Sequence, residues 1–387
     1  MKQTKRYKIL CVCESMATGT YFFLNALMNR LCDTYDIVIV YGERPETPGD
    51  IRQQFDDRIK LIKLDTFRRG TDPRMIFSSQ RALSAIIRRE QPDLIHLNSS
   101  IAGMVGRLAT VFRDIPVLYT PHLFSFLQPS FSAPKRMAFF AAEWCLARLG
   151  GTIIGVSESE HRAAAKLTRR CGYINNCIDI ATPPPAPTAH RPGMGLKCGT
   201  SGRILPQKCP QAYAELAKLV PQDEIVWIGD GESKSMLQGL DNVRILGWIS
   251  REDVLKTVQN LDVFLLLSDS EGLSISLLEA MASGSLCIAS DIEANRQVLE
   301  HGVDGFLVKD AAEAAAVLDQ IRSHQVDLDA IRQAAYTKVS TGYHLDTMVQ
   351  SYAALYELAI QRQLKSWIAK GRVKGVVSHD QRLGSGI

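Results

Sequence analysis

Apolar runs and amphipathic helical patterns alternate along nearly the whole of this chain, and few folds accommodate that alternation. In the first half, residues 8–13, 35–41, 59–64, 94–97, 117–120 and 152–156 read as strands, the last of them closing that half. Residues 20–32, 73–90, 101–112 and 136–149 carry helical apolar spacing. Strands and helices joined by short connections form βαβ units, and these give a parallel sheet covered on both faces. The alternation stops at Ala181-Thr182-Pro183-Pro184-Pro185-Ala186-Pro187, whose prolines cannot donate backbone hydrogen bonds, so the segment reads as a linker. Beyond it the pattern resumes. Strands are expected over 198–202, 224–228, 243–246, 262–267, 286–289 and 305–308. Helices are expected over 211–219, 236–240, 251–259, 276–282, 295–299 and 311–322.

The expected fold class is therefore α/β, with two Rossmann-like domains whose parallel sheets face a central cleft. The domains are 1–180 and 198–345, joined by the linker 181–197. A closing helical pattern, 346–370, would cross back to the first domain ahead of a polar, basic and loose tail, 371–387. At 387 residues the chain is long enough for two cores.

Composition narrows the partners. A formal net charge of +4 is too small an excess to imply a nucleic-acid partner. Basic pairs at Arg68-Arg69, Arg88-Arg89 and Arg169-Arg170 suit either solvated helix faces or peripheral contact with an anionic membrane. The nine cysteines are odd in number and include no Cys-x-x-Cys, so a reducing, cytoplasmic compartment is expected and structural zinc is not. Residues 1–7 lack the apolar core of a signal peptide. No run of about 18 uncharged apolar residues is present to span a membrane.

The densest chemistry lies in Asp269-Ser270-Glu271-Gly272-Leu273-Ser274-Ile275-Ser276-Leu277-Leu278-Glu279-Ala280-Met281-Ala282. It follows a buried apolar run and leads into a helix, so backbone N–H groups and a positive helix end point out from the carboxyl edge of a parallel sheet. A phosphate would be held there, and Glu271 and Glu279 could accept hydrogen bonds from sugar hydroxyls. A second reading stands beside it: Ser276 and Glu279 have capping-box spacing, and the box alone would explain both residues.

Other strand ends carry weaker signals. Gly202-Arg203-Ile204-Leu205-Pro206-Gln207-Lys208 places a glycine and two cations after the first strand of the second half, suited to a phosphate or merely to solvent. Ile228-Gly229-Asp230-Gly231-Glu232 lacks the third glycine of a dinucleotide fingerprint and does not follow the first strand of its domain, which speaks against a dehydrogenase. Tyr119-Thr120-Pro121-His122 ends a strand, where His122 could reach a substrate or be a satisfied core histidine. Asp327-Leu328-Asp329 lies between helical patterns and reads as a helix cap, not a metal site. The stretch from Phe124 to Leu149 is apolar with a basic break at Lys135-Arg136, and reads either as core contact or as an interfacial element.

Together these segments resemble the retaining glycosyltransferases of family 4, which have the GT-B fold. The resemblance rests on Glu271-x7-Glu279 with its Glu279-Ala280-Met281-Ala282 ending and on Gly202-Arg203…Lys208. Pro92-Asp93-Leu94-Ile95-His96, Thr120-Pro121-His122, Val156-Ser157-Glu158-Ser159, Ile174-Asn175-Asn176-Cys177-Ile178-Asp179 and Asn295-x9-Gly305-Phe306-Leu307-Val308 match in the family's order. The resemblance implies a hexosyltransferase that takes a nucleoside-diphosphate sugar, UDP favoured, to a saccharide acceptor, lipid-linked in the favoured reading, for a bacterial surface polysaccharide. No cofactor and no essential metal are implied. Glu279 would bind ribose and Glu271 the donor sugar. The amides of Gly272, Leu273, Ser274, Ile275 and Ser276 would face the diphosphate, and Arg203 and Lys208 would neutralise it. Gly202 would let the ligand approach the backbone, Gly19 would open the first loop towards the diphosphate, and His122 would contact the donor sugar. Two positions depart from the pattern: Leu123 stands where a glycine often follows that histidine, and Cys209-Pro210 where a glycine usually follows the lysine. A soluble small-molecule acceptor, or a non-catalytic protein that binds nucleotide sugars, remain alternatives at this level.

Overall fold

The computed structural model describes residues 6–67, 70, 72–180 and 195–364. Arg68-Arg69, the proline-rich segment 181–187 and the tail 371–387 lie outside the described residues, as does the end of the closing helical pattern. Two compact units are present, one formed by residues up to 127, 132–176 and from 345 onward, the other by 128–131 and 177–344.

The first unit runs β1 (Lys8–Cys13), α1 (Thr18–Leu31), β2 (Asp36–Tyr41), β3 (Lys60–Lys63), α2 (Pro73–Glu90), β4 (Leu94–Asn98), α3 (Ser100–Thr110), β5 (Val117–Thr120), α4 (Ala133–Leu149), β6 (Thr152–Gly155), α5 (Glu158–Ala165) and β7 (Cys171–Tyr173). Its strands pair in parallel in the order β3-β2-β1-β4-β5-β6-β7. Residues 152–156 are thus not the last strand of this half. The short β7 follows, and its three residues are too few for periodicity to reveal. Helix boundaries follow local chemistry: Asp72 accepts from the N–H of Arg74, Pro73 opens α2, and Gln91 ends it in the left-handed conformation. β1 and β4 are buried on both faces, so they read as continuous apolar runs instead of alternating ones.

The second unit runs β8 (Lys197–Ser201), α6 (Pro210–Leu219), β9 (Glu224–Ile228), β10 (Val243–Gly247), α7 (Arg251–Gln259), β11 (Val263–Leu266), α8 (Ile275–Ala282), β12 (Leu286–Ser290), α9 (Glu293–Arg296), β13 (Phe306–Val308), α10 (Ala311–Arg322) and α11 (Leu328–Gly342). Its sheet is also parallel, in the order β10-β9-β8-β11-β12-β13. The helix expected over 236–240 is a 3-10 turn, Lys234–Leu237. Asp327 caps α11 by accepting from the N–H of Ala330 at 3.0 Å.

α12 (Leu345–Ile360) belongs to the first unit and docks through aromatic side chains. His96, fully buried on β4, contacts Tyr356 Oη at 2.7 Å through Nδ1 and Thr120 Oγ1 at 2.9 Å through Nε2. Tyr352 stacks on the same imidazole. Burial pushes the His96 pKa down to about 3, so the ring is neutral and both nitrogens are spent on these two hydroxyls. Tyr356→Phe leaves a buried ring nitrogen without its partner and should cost about 1–3 kcal/mol in urea unfolding. A loss within error of zero would mean that the hydrogen bond does not anchor the helix.

Candidate active site

In each sheet the chain leaves one strand in one direction and later returns to its other side, and ligands in open α/β sheets bind beyond the carboxyl ends at that switch point. In the second unit the switch lies between β8 and β11. The loops after these two strands carry Gly202 to Lys208 and Asp269 to Ser274, so pairing alone brings together segments more than sixty residues apart.

Cross-links join the two loops. Lys208 Nζ lies 2.7 Å from Glu271 Oε1, with both side chains largely buried. Gln207 donates through Nε2 to the Ser270 carbonyl at 2.7 Å, and the Asp269 N–H donates to the Gln207 carbonyl at 2.9 Å. Arg203 pairs with Glu232 at 3.1 Å. Burial, with the Glu271 charge nearby, pushes the Asp269 pKa up.

The glycines beside this site serve close approach. Gly202 has φ +135°, and its carbonyl accepts from Trp227 Nε1 at 2.8 Å. A Cβ on Gly229 would run into the Gly202 carbonyl, and one on Gly231 into the backbone of Ile204. The Gly229–Gly231 segment therefore supports the Gly202–Lys208 loop. Cys209, at φ +48°, turns the chain into Pro210 at the start of α6 without a glycine.

The block from 269 to 282 differs from its capping-box reading. α8 begins at Ile275 with Ser274 at its N-cap, no side chain caps it, and Ser274 Oγ meets Ser276 Oγ at 3.0 Å. Glu279 lies in the second turn, not the first, and reaches no backbone donor at the helix start. Its buried carboxylate receives both terminal nitrogens of Arg251, one at 2.9 Å. That fork against a carboxylate is the bidentate geometry to which arginine is suited. Gly272, Leu273 and Ser274 are buried, whereas Ile275 and Ser276 are partly exposed. The first-turn N–H groups of a helix have no intrahelical partner, and without a side-chain cap they remain donors for an anion.

The strand ends of the first unit form a second cluster. His122 follows β5, and its Nε2 lies 3.0 Å from Asn98 Oδ1 at the end of β4. Asn98 Nδ2 donates to the His96 carbonyl, which orients the amide so that Oδ1 accepts from the imidazole. Phe23 meets the ring edge-on at 4.7 Å. Burial pushes the His122 pKa well down, so the neutral ring keeps Nδ1 as an acceptor. His122 and Leu123 have φ +54° and +92°. Left-handed backbone costs an ordinary residue about 1–2 kcal/mol.

Two buried carboxylates hold these loops, and sequence reading missed both. Glu14, just beyond β1, accepts from Ser99 Oγ and from the Ala102 N–H, with Arg44 at 3.7 Å. Glu160 accepts from the Leu123 N–H at 2.6 Å and the Val156 N–H at 2.7 Å. Burial raises each pKa to about 7. Glu14 was findable as a charge closing an apolar strand; Ser157 and Glu160 have capping-box spacing, which marks a helix start but not the bond to Leu123, and Arg251 and Asn98 had no local signal, because Glu279 and His122 are distant in sequence. Gly19 is exposed in the first turn of α1 instead of opening the preceding loop, and Thr18 takes the left-handed turn at φ +49°. A Cβ on Gly19 would meet nothing within 4 Å.

The Phe124–Leu149 stretch is divided between two environments. Phe124 and Phe126 are core, and the partly buried Phe139 and Phe140 pack against it. On α4, Met137, Ala141, Trp144 and Arg148 follow one another at helical spacing along an exposed face, and Leu149 is also exposed. Lys135, Arg136 and Arg148 are the exposed charges of this helix; its carboxylate, Glu143, is buried against Arg107 at 2.7 Å.

Comparison with known proteins agrees with this architecture. Residues 20–182 match the model described as Glycosyltransferase Family 4, and residues 196–324 that described as Glycosyl transferases group 1. The UDP-Gal:alpha-D-GlcNAc-diphosphoundecaprenol alpha-1,3-galactosyltransferase of Escherichia coli is 27% identical over 84% of this chain and 89% of its own length. The crystal structure of Anabaena Alr3699/HepE in complex with UDP and glucose superposes with a TM-score of 0.72 at 19% identity, covering 91% of this chain and all of that one. Sucrose-phosphate synthase from Thermosynechococcus elongatus superposes with a TM-score of 0.77 at 16% identity, covering 93% and 100%. At these identities the superpositions establish the GT-B fold.

The Arg251–Glu279 pair and the absent capping box make opposite predictions for two variants. Ser276→Ala should change stability by less than about 0.5 kcal/mol, where loss of a true cap costs about 1 kcal/mol. Arg251→Ala strands a buried carboxylate and should cost about 1–3 kcal/mol by thermal or urea unfolding. If Ser276→Ala proved the more damaging, the helix start assigned here would be wrong.

Proposed function

The chain belongs to the glycosyltransferases of family 4, and on that premise we propose that it moves a hexosyl group from a nucleoside-diphosphate sugar to a lipid-linked saccharide, with retention of anomeric configuration. UDP is the favoured nucleotide. The observation that carries this reading is the Lys208–Glu271 pair across the switch point of the second sheet, with Arg203 on the same loop.

As the glycosidic bond breaks, negative charge grows on the departing diphosphate. Fixed cations and amides stabilise that charge without reorganising. Lys208 and Arg203 supply the cations. Gly202 leaves room for the phosphate to approach the backbone, and the amides from Gly272 to Ser276 complete the cradle at the start of α8. Glu279, oriented by Arg251, accepts from the ribose hydroxyls, and Glu271 from hydroxyls of the transferred sugar. His122 contacts that sugar as a neutral imidazole. Retention is assigned to front-side displacement, in which a departing phosphate oxygen takes the proton of the attacking acceptor hydroxyl.

The lipid-linked acceptor is supported by the diphosphoundecaprenol-linked acceptor for which the Escherichia coli relative is named, and by the surface of α4. Among the described residues no helix is long and apolar enough to cross a membrane. The exposed face of α4 joins Met137, Trp144 and Leu149 to Lys135, Arg136 and Arg148. Apolar side chains that enter the headgroup region, flanked by cations, suit an anionic lipid surface.

Three measurements test this reading. In a thermal-shift screen a UDP sugar should raise the melting temperature, and Glu279→Ala or Arg203→Ala should weaken nucleotide binding about tenfold or more, as expected for loss of a charged hydrogen bond. If Glu279→Ala lowered stability yet left nucleotide binding intact, the ribose role would fall. Proton NMR of the product should show the donor's anomeric configuration; inversion would exclude front-side displacement. Vesicles containing phosphatidylglycerol should carry the protein to the top of a flotation gradient at low salt. Charge reversal at Lys135, Arg136 and Arg148 should abolish this, since each basic residue contributes about 1 kcal/mol near such a surface. Equal flotation on neutral vesicles would remove the electrostatic part of the claim.

A further inference from the structure

We infer that Glu160 is a positioning residue for the reaction: its carboxylate holds the left-handed turn at His122-Leu123 and so aims the His122 imidazole. The inference rests on the assignment of His122 to the donor sugar.

Four observations converge on one carboxylate. His122 and Leu123 both have positive φ, although neither is a glycine. Leu123, at φ +92°, is well outside the region an ordinary side chain adopts without strain. Something must over-determine that turn, and the Leu123 N–H ends on Glu160 Oε1 at 2.6 Å. The other oxygen, Oε2, takes the Val156 N–H at 2.7 Å, at the end of the neighbouring strand β6. The side chain is therefore a two-pronged acceptor that ties the turn after β5 to the end of β6.

Its own anchorage is local. Ser157 caps α5 by accepting from the Glu160 N–H at 3.2 Å, which places Glu160 in the first turn. A capping-box glutamate reaches back to the N-cap N–H. This one bypasses Ser157 and bonds instead to the residue before it and to a loop thirty-seven positions away. Glu160 is 1% exposed, so each oxygen has exchanged water for one backbone donor. Evidently the segment spends a buried carboxylate where a helix start alone needed none.

The position of His122 depends on this tie from both sides. Asn98 fixes Nε2 of the ring from β4. The backbone that carries the ring is fixed only if the following peptide is, and that peptide supplies the N–H bound by Glu160. A glutamine cannot replace the carboxylate, because its amide nitrogen would face one of the two N–H donors. A glycine at 123, by contrast, adopts positive φ without help.

The test is a mutant cycle of Glu160→Gln, Leu123→Gly and the double variant, with His122→Ala as reference. Two readouts are used. Long-range proton–nitrogen spectra of the histidine rings report the tautomer and surroundings of His122 without any donor present. Calorimetric dissociation constants for UDP and for UDP-galactose give the increment contributed by the sugar. Glu160→Gln should shift the His122 ring signals and reduce the sugar increment about tenfold, while UDP affinity stays within about twofold. Leu123→Gly alone should be nearly silent in both, and in the double variant it should recover most of the loss and of any loss of folded yield. A merely structural Glu160 would lower melting temperature without moving the ring signals. Unchanged ring signals in Glu160→Gln, or no recovery in the double variant, overturns the inference. If His122→Ala leaves the sugar increment intact while Glu160→Gln still moves the ring, the donor assignment of His122 fails and the positional tie stands.

Discussion

Everything at the candidate site depends on where parallel pairing places the carboxyl ends of a few strands. In the second sheet β11 pairs directly with β8, although β9 and β10 come between them in the chain. That single adjacency makes neighbours of Lys208 and Glu271, of Gln207 and Ser270, and of the Gly202 loop and the start of α8. In the first sheet the insertion of β4 beside β1 does the same for Asn98, Ser99 and Glu14, and β5 then brings His122 to Asn98. The loops carry the chemistry, but the pairing order sets the geometry.

The site's charges are compensated inside the protein. Glu271 faces Lys208, Glu279 faces Arg251 and Arg203 faces Glu232. An isolated carboxylate buried like Glu279 would be strongly disfavoured, and one fixed arginine removes that penalty while holding both oxygens. The same arrangement holds the carboxylates in one orientation, so the proposed binding of a nucleotide sugar would cost less freedom. Glu14 and Glu160 follow a different rule. Their partners are mostly backbone N–H groups and a hydroxyl, burial dominates, and their pKa values rise to about 7.

Backbone conformation differs between the two sets of strand ends. In the loop after β8 the tight approach comes from glycines: Gly229 and Gly231 have no room for a Cβ against the 202–204 backbone, and Gly202 sits at φ +135°. After β5 the chain reaches positive φ with His122 and Leu123, residues that resist it, as Cys209 does before α6. Strain of that kind persists where surrounding hydrogen bonds over-determine the chain. At the turn after β5 the bonds from Glu160 and Asn98 do so.

The sequence by itself determined the fold class, the two-part organisation and the strand-end positions of most candidate residues. Periodicity sufficed because strands such as β1 and β4 are buried on both faces and helices such as α2 carry their own caps and breakers, all of which are local properties. Residues 73–90, 117–120, 224–228, 251–259 and 311–322 form the elements expected of them, with the same boundaries. Only the tertiary structure decided what Glu279 does. Its spacing from Ser276 is that of a capping box, yet the helix starts at Ile275 and the carboxylate turns to Arg251, twenty-eight residues earlier. It likewise decided that Phe124 and Phe126 are core while Met137 and Trp144 face outward, and that Glu160 serves a turn thirty-seven residues away. A capping box is written within four residues, whereas a buried carboxylate takes whichever donors the packed strands bring to it. That choice is made by pairing order and burial, which no local pattern encodes.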